Sequence, residues 1–197
     1  MNATRGWGLL ERTLSRWRFS TVLGLLKEAG PAGRILDLGC GPHAHFLPLT
    51  KFGGKFGIDL YLRFGSGFGS NGIHLLCCDL QTADPPFRPG SFDAIIAMAF
   101  FEHLHMDRGM ELLRSVHALL KPGGILILTT PAPWMRTALN LMALVRLVSP
   151  AEIADHKAYY SRESIAQALA AAGFPIAGIR IGMFMAGANC WAVAQKK

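Results

Sequence analysis

Three aspartates, Asp37, Asp59 and Asp79, lie at the ends of three short apolar segments. Each segment has the length and composition of a buried strand, and consecutive strands of an open α/β sheet bring their carboxyl ends to one edge. We therefore expect the three carboxylates to line one ligand site. Carboxylates in such a site suit a ligand that offers positive charge and hydroxyl or amine donors.

A glycine turn follows the first of these aspartates. Gly39 and Gly41 permit a tight turn in which backbone approaches a ligand, and Pro42 suits the first turn of a helix that we expect to follow. The turn fits the loose dinucleotide pattern, in which a pyrophosphate rests on backbone N–H groups. Asp37 would repel a pyrophosphate, whereas S-adenosylmethionine has no phosphate and carries a sulfonium and an ammonium group. An NAD(P)-dependent oxidoreductase is the less favoured alternative.

The chain resembles the class I S-adenosylmethionine-dependent methyltransferases, in particular the small-molecule enzymes of the ubiquinone-biosynthesis type. The segment Leu36–Gly41, which reads LDLGCG, is similar to their first motif. Glu102-His103-Leu104, after a predicted fourth strand, and Lys121–Gly124, before a fifth, are similar to later motifs. The resemblance covers roughly residues 33–195. It implies an α/β fold with a Rossmann-like, doubly wound, seven-stranded sheet, mostly parallel with an antiparallel last strand, and helices on both faces.

The same resemblance implies the roles of the cofactor-binding residues. Asp37, at the glycine turn, is expected to hold the methionine end, Asp59 the ribose and Asp79 the adenine. Asp59 also follows Gly41 by 18 residues, near the spacing of about 20 at which nucleotide folds place a ribose-binding acid. The full predicted set is Asp37, Gly39, Cys40, Gly41, Asp59, Leu60, Asp79, Leu80, Ala99 and Phe100, of which the last two line the sulfonium side.

Candidate catalytic residues are fewer, because methyl transfer mainly requires alignment and exclusion of water, and a hydroxyl acceptor also benefits from a base. The candidates are His103, His156 and Tyr160. His103 and His156 each have a purely structural alternative, as a helix cap or a hydrogen-bonding group. His43 and His45 lack an evident third ligand, so no metal is predicted.

The remaining elements predict one methyltransferase domain over residues 1–197. A helical cap covers residues 1–30, and its helix, 7–27, carries an apolar stripe of Leu10, Leu14, Trp17, Thr21 and Leu25. The glycine-rich stretch 62–72 is predicted to be a loop. A helical insertion spans 132–160 on the substrate side. Ser161 is a predicted N-cap, and two strands follow at about 176–183 and 189–195.

Composition and charge limit the function. The chain of 197 residues is 51% hydrophobic and has a net charge of +7, yet no apolar run reaches the length of about 18–20 residues that spans a membrane. Charged residues interrupt the N-terminus, so no signal peptide is predicted, and the four cysteines indicate free thiols in a cytoplasmic protein. Neither a base-gripping motif nor a basic run interleaved with aromatics is found, so we expect no nucleic-acid partner.

The expected activity is O-methylation of a small-molecule acceptor such as a sugar, a lipid-linked sugar or a quinone precursor. The alternative is a non-catalytic binding protein that has kept the methyltransferase fold. The basic amphipathic segment 134–148 predicts a cap on the substrate pocket, a dimer contact or a peripheral membrane contact. A monomer and a homodimer both remain open.

Overall fold

The computed structural model describes residues 11–28, 33–62, 67–68, 72–135 and 160–197. Its strands are β1 (Arg34–Leu38), β2 (Gly54–Asp59), β3 (Gly67–Phe68), β4 (Ile73–Cys77), β5 (Phe92–Met98), β6 (Leu120–Pro131), β7 (Ile179–Phe184) and β8 (Asn189–Gln195). The α-helices within these residues are α1 (Glu11–Glu28), α2 (Met106–Leu119) and α3 (Arg162–Ala171). Short 3₁₀ turns occur at Leu47–Leu49, Phe101–His103 and Ile176–Gly178. None of the helices so described is long and apolar enough to cross a membrane.

The strands form one mixed sheet in the order β3-β4-β2-β1-β5-β6-β8-β7. The five central strands are parallel, and β8 runs antiparallel to both of its neighbours. This arrangement confirms the predicted doubly wound sheet. The two-residue strand β3, which pairs antiparallel with β4, lies in the stretch predicted to be a loop. The chain order reverses between β1 and β5, and ligands of open α/β sheets bind beyond the strand ends at such a switch point.

Helices cover both faces of the sheet, as predicted. Strand residues alternate between the faces, so Leu36 and Leu38 join the core under α2 and α3, whereas Ile35 packs with Val22 and Leu25 of α1. β5 and β6 repeat the alternation, and their buried runs are apolar on both sides, as parallel central strands require. Helices therefore pack on both faces of the sheet, and the edge at the carboxyl ends of its strands is available for a site.

The helix predicted at 7–27 is confirmed over Glu11–Glu28, whereas 7–10, with Leu10 of the predicted stripe, lie outside the described residues. The rest of the predicted stripe is only partly buried. Trp17, which was placed on the stripe, is 56% exposed. Leu25 of the stripe is buried, but the helix also buries Val22 and Leu26, which lie off the stripe. The Phe19 ring packs edge-on against a neighbouring ring with centroids 5.2 Å apart. Apolar residues occur on several sides of this helix, so their spacing alone does not select the buried side.

The helix predicted after the glycine turn is absent from the described residues 41–53, so this prediction is wrong. A 3₁₀ turn at Leu47–Leu49 is the only helical element in this range. Ala44 has a left-handed backbone with φ 48°, and Pro48 lacks the N–H that a continuing helix would need. Phe46 and Leu47 are nevertheless fully buried against the sheet, so this irregular segment covers the face that a helix was expected to cover.

Most of the predicted insertion lies outside the described residues, since 136–159 are not described. Its first residues are held by the β7–β8 hairpin. The indole N–H of Trp134 donates to the carbonyl of Gly187 at 3.0 Å, and the N–H of Ala132 donates to that of Ala188 at 2.9 Å. The chain therefore enters the insertion at the carboxyl edge of the sheet.

Ser161 caps α3 as predicted, and its replacement by alanine should lower stability. Its Oγ accepts the N–H of Ser164 at 3.1 Å. Loss of such a cap costs about 1 kcal/mol of unfolding free energy, which urea unfolding measures. Ser164→Ala is the matched control, because the Ser164 hydroxyl bonds only back to residue 161 of the same turn. Equal losses in the two variants would contradict the capping role.

Candidate functional site

The structure brings the three predicted aspartates to the carboxyl edge of neighbouring parallel strands. Asp37 and Asp59 are 1% and 3% exposed, and Asp79 is half-buried in the turn after β4. Charged side chains rarely occupy such buried positions without a partner. The burial of Asp37 and Asp59 therefore indicates that this edge is built around their chemistry.

Asp59 fastens the end of β2 to the glycine turn. One of its carboxylate oxygens accepts the N–H of Gly41 at 2.9 Å, and the other accepts the N–H of Tyr61 at 2.8 Å. The N–H groups of Gly39 and Cys40 in turn donate to the carbonyl of Ile58 at 2.8 and 3.1 Å. Side-chain and backbone hydrogen bonds thus fix the turn in position before any ligand arrives.

Asp37 is the least satisfied group of the site. Neither of its carboxylate oxygens has a hydrogen-bond partner among the described residues. Burial, and secondarily the charge of Asp59, raise the pKa of Asp37 well above its usual value. Two adjacent buried carboxylates of this kind would be stabilised by a cationic ligand and destabilised by a phosphate. The site therefore fits the ammonium and sulfonium groups of S-adenosylmethionine and does not fit a pyrophosphate.

Cys40 lies between the two glycines and is half-buried. Burial, followed by the charges of Asp37 and Asp59, raises the pKa of its thiol far above the usual range. A Cβ on Gly57 of β2 would lie only 2.8 Å from the Cys40 Sγ, so the thiol packs tightly against that strand. The Cys40 side chain therefore fills space between the turn and β2. Its predicted role in cofactor binding stays a prediction.

Asp79 and Leu80 form a compact turn after β4. A carboxylate oxygen of Asp79 accepts the N–H of Gln81 at 2.9 Å, and Leu80 is buried. The guanidinium of Arg108 on α2 donates to the Leu80 carbonyl at 2.8 Å and pairs with Asp84 at the same distance. Leu60, by contrast, is exposed at the surface.

Phe100 lies directly against the glycine turn. Gly39 has φ 71°, and a Cβ at this position would overlap the Phe100 ring. The preceding Ala99 also has a left-handed backbone, with φ 49°, and its N–H is held by the backbone carbonyl of Thr129 at 2.9 Å. Strained backbone that packing holds in place is common at binding sites. This backbone conformation sets the Phe100 ring beside the turn. That Phe100 lines the ligand stays a prediction.

The structure describes two of the three predicted catalytic residues. His103 is half-buried in the 3₁₀ turn after β5, and its carbonyl accepts the side-chain amide of Gln81 at 2.6 Å. Tyr160 is 8% exposed, and its hydroxyl packs against Gly109 of α2. His156 lies outside the described residues. Their catalytic roles stay predictions.

Sequence reasoning missed Glu102 as a candidate functional residue. Its side chain is completely buried beside the carboxyl ends of β5 and β6. Burial raises its pKa to about 7, although the charge of Arg18 partly opposes the shift. Burial and then the charge of Glu102 raise the pKa of Tyr160. The available signal was a carboxylate inside the apolar run from Phe100 to Leu104.

A metal centre finds no support in the described ranges. No group of three His, Cys, Asp or Glu side chains there is arranged to hold an ion. The rings of His43 and His45 lie 5.2 Å apart without a third ligand.

Comparison with known proteins points to one family. A family model described as "Methyltransferase domain" matches residues 10–177. A ubiquinone biosynthesis O-methyltransferase of Bradyrhizobium sp. (strain ORS 278) is 33% identical over 104 residues, which are 49% of this chain and 39% of that protein. The chain thus spans less than half the length of this curated relative.

Two solved structures show the same fold. An S-adenosylmethionine-dependent methyltransferase of Mesorhizobium loti has a TM-score of 0.65 and 19% identity, with 88% of this chain and 96% of that one covered. Phosphoethanolamine N-methyltransferase 2 of Haemonchus contortus, in complex with S-adenosyl-L-methionine, has a TM-score of 0.62 and 15% identity, with 90% of this chain and 52% of that one covered.

Proposed function

We propose that this chain methylates an oxygen atom of its acceptor. The premise is that the chain belongs to the methyltransferase-domain family and has S-adenosylmethionine as its cofactor. The bound cofactor supplies an electrophilic methyl group. The acceptor is a small molecule with a free hydroxyl, such as a sugar, a lipid-linked sugar or a quinone precursor. The O-methyltransferase name of the curated relative supports transfer to oxygen.

The observation that carries the proposal is the buried Asp37 carboxylate without a partner beside the rigid glycine turn. Burying this carboxylate without a partner costs free energy, and a cationic group that approaches it removes that cost. Asp59 offers carboxylate oxygens at the same edge for the ribose hydroxyls of the cofactor, and the Phe100 ring beside the turn excludes water from it. Together these residues bind and orient the methyl donor.

Transfer to oxygen also requires a place for the proton of the acceptor hydroxyl. Glu102 is buried at the same edge, next to the strand end that carries Phe100, and its pKa of about 7 suits a proton acceptor near neutral pH. Tyr160 is close enough to Glu102 for the charge of Glu102 to raise the pKa of Tyr160. We propose that Glu102 takes up this proton and that His103 and Tyr160 orient the acceptor.

Calorimetric titration tests the first half of the proposal. We expect S-adenosylmethionine and S-adenosylhomocysteine to bind with micromolar affinity and NAD, the control, not to bind. A screen of hydroxyl acceptors with radiolabelled methyl donor then tests the second half. Cofactor binding without transfer to any hydroxyl compound would favour a non-catalytic binding protein, and binding of NAD alone would refute the assignment of Asp37.

A further inference from the structure

We propose that a groove between α1 and the β7–β8 hairpin binds the uncharged, apolar part of the methyl acceptor, remote from its reacting hydroxyl. This inference rests on the proposed function. The groove is open to solvent and has a volume of about 380 Å³, within the usual range of small-molecule sites of about 300–1,000 Å³. Its aromatic walls are Trp17 of α1 and Phe184 and Trp191 of the hairpin.

The groove lies on the same face and at the same edge of the sheet as the methyl-donor site. Trp191 is the register partner of Thr129, and Thr129 is the register partner of Met98. Asp37 and Ile96 are partners in a second row. The row of Met98 lies two residues nearer the carboxyl ends of the strands than the row of Ile96, and its side chains point to the same face. Three strand spacings, about 14 Å, separate β1 from β8. A molecule anchored in the groove therefore extends over the ends of β6 and β5 towards Phe100, which is where an acceptor hydroxyl must stand.

Two glycines give the groove its shape. A Cβ on Gly182 of β7 would overlap the indole of Trp191, so glycine at this position lets the ring lie flat on the neighbouring strand. Gly24 lies in the interior of α1, where glycine costs about 1 kcal/mol relative to alanine. Apart from the neighbouring backbone of α1, no atom of the described residues lies within 4 Å of the position of its absent Cβ, so packing against them does not require glycine there. The missing side chain keeps the groove open.

The hairpin turn adds a strained residue to the groove wall. Met185 and Ala186 both have left-handed backbones, with φ 55° and 52°, although neither is glycine. Such conformations are unfavourable for residues with a side chain and persist where surrounding structure imposes them. Met185 lines the groove, and its thioether accepts a hydrogen bond from the side-chain amide of Asn189 at 3.1 Å. A thioether also contacts aromatic rings and apolar ligands favourably.

The lining specifies the chemistry of the occupant. No charged side chain lines the groove among the described residues. Its polar side chains are the hydroxyls of Ser20 and Thr21, and the Thr21 hydroxyl already donates to the Trp17 carbonyl at 3.0 Å. Burying a carboxylate, a phosphate or a free sugar there would leave polar groups unpaired. An aromatic ring or an isoprenoid chain, both uncharged and apolar, meets no such cost.

Probe binding to the full chain saturated with S-adenosylhomocysteine tests the inference. Trp17 and Trp191 report occupancy through intrinsic fluorescence, and the probes are 2-naphthol for an aromatic ring, geraniol for an isoprenoid chain and methyl glucoside as the polar control. We expect a saturable change in tryptophan fluorescence with 2-naphthol or geraniol only. Gly24→Leu, which fills the groove, should weaken probe binding by about tenfold or more, and Gly24→Ala by at most about threefold.

Both substitutions favour the helix, so a folding defect does not explain a loss of binding. Equal probe affinity in Gly24→Leu and Gly24→Ala, or tight binding of methyl glucoside that Gly24→Leu abolishes, would overturn the inference. The readout does not depend on methyl transfer. Probe binding in a protein that methylates no hydroxyl would refute the proposed function alone, whereas methylation without any apolar probe binding would refute the groove alone.

Discussion

Asp59→Ala is expected to weaken S-adenosylmethionine binding by about 100-fold or more. Each hydrogen bond to a charged group contributes about 1.5–3 kcal/mol, and tenfold in affinity is about 1.4 kcal/mol. The substitution removes the acceptor expected for the ribose hydroxyls. It also frees the N–H groups of Gly41 and Tyr61, which hold the glycine turn against β2. Calorimetric titration at a temperature where the variant is folded measures the loss.

Asp93→Ala is the matched control, because it removes an aspartate from the opposite edge of the same sheet. Asp93 accepts the N–H of Arg34 at 2.8 Å and pairs with Lys121 at 2.7 Å, and these partners lower its pKa against the effect of burial. We expect this variant to lose stability and to keep its cofactor affinity. Unchanged affinity in Asp59→Ala, or equal losses in both variants, would show that Asp59 does not hold the ribose.

The parts of the site that could be predicted from sequence are those that the backbone determines. A short apolar strand followed by an acid brings that acid to the carboxyl edge wherever the strand is parallel, so Asp37, Asp59 and Asp79 could be placed together from spacing alone. Gly39 and Gly41 have the left-handed φ values, 71° and 74°, that the tight turn required.

The parts that were not predicted depend on packing between distant segments. The orientation of α1 depends on contacts with distant residues, such as that between Phe19 and Phe46. The spacing of apolar residues within α1 does not predict such contacts. The irregular cover after Gly41 results from Pro48 and from the burial of Phe46 and Leu47 by the sheet. Glu102 directly follows two phenylalanines, but only the fold shows that the surrounding elements remove its carboxylate from water.

That burial makes Glu102 the source of a second large effect, on the pH dependence of stability. Its pKa is about 7 in the folded chain and about 4.5 in the unfolded chain, so between these values the folded state binds more protons. The stability that the protonated side chain provides is fully present below pH of about 4.5 and is lost as the pH rises through about 7. The pKa difference corresponds to about 3 kcal/mol of unfolding free energy.

Glu102→Gln replaces the carboxyl by a neutral group of the same shape and removes this dependence. The unfolding free energy of Glu102→Gln minus that of the unsubstituted chain should therefore increase by about 3 kcal/mol between pH 4.5 and 8, measured by urea unfolding. The pKa of Asp37 is also raised, so its titration changes the unfolding free energy of both proteins. The two changes are equal in direction and size, so they cancel in the difference. Glu111→Gln, at an exposed carboxylate paired with Arg108, is the control and should give a nearly constant difference. If Glu102→Gln gave a constant difference as well, Glu102 would titrate as an exposed carboxylate and could not serve as the proton acceptor near neutral pH.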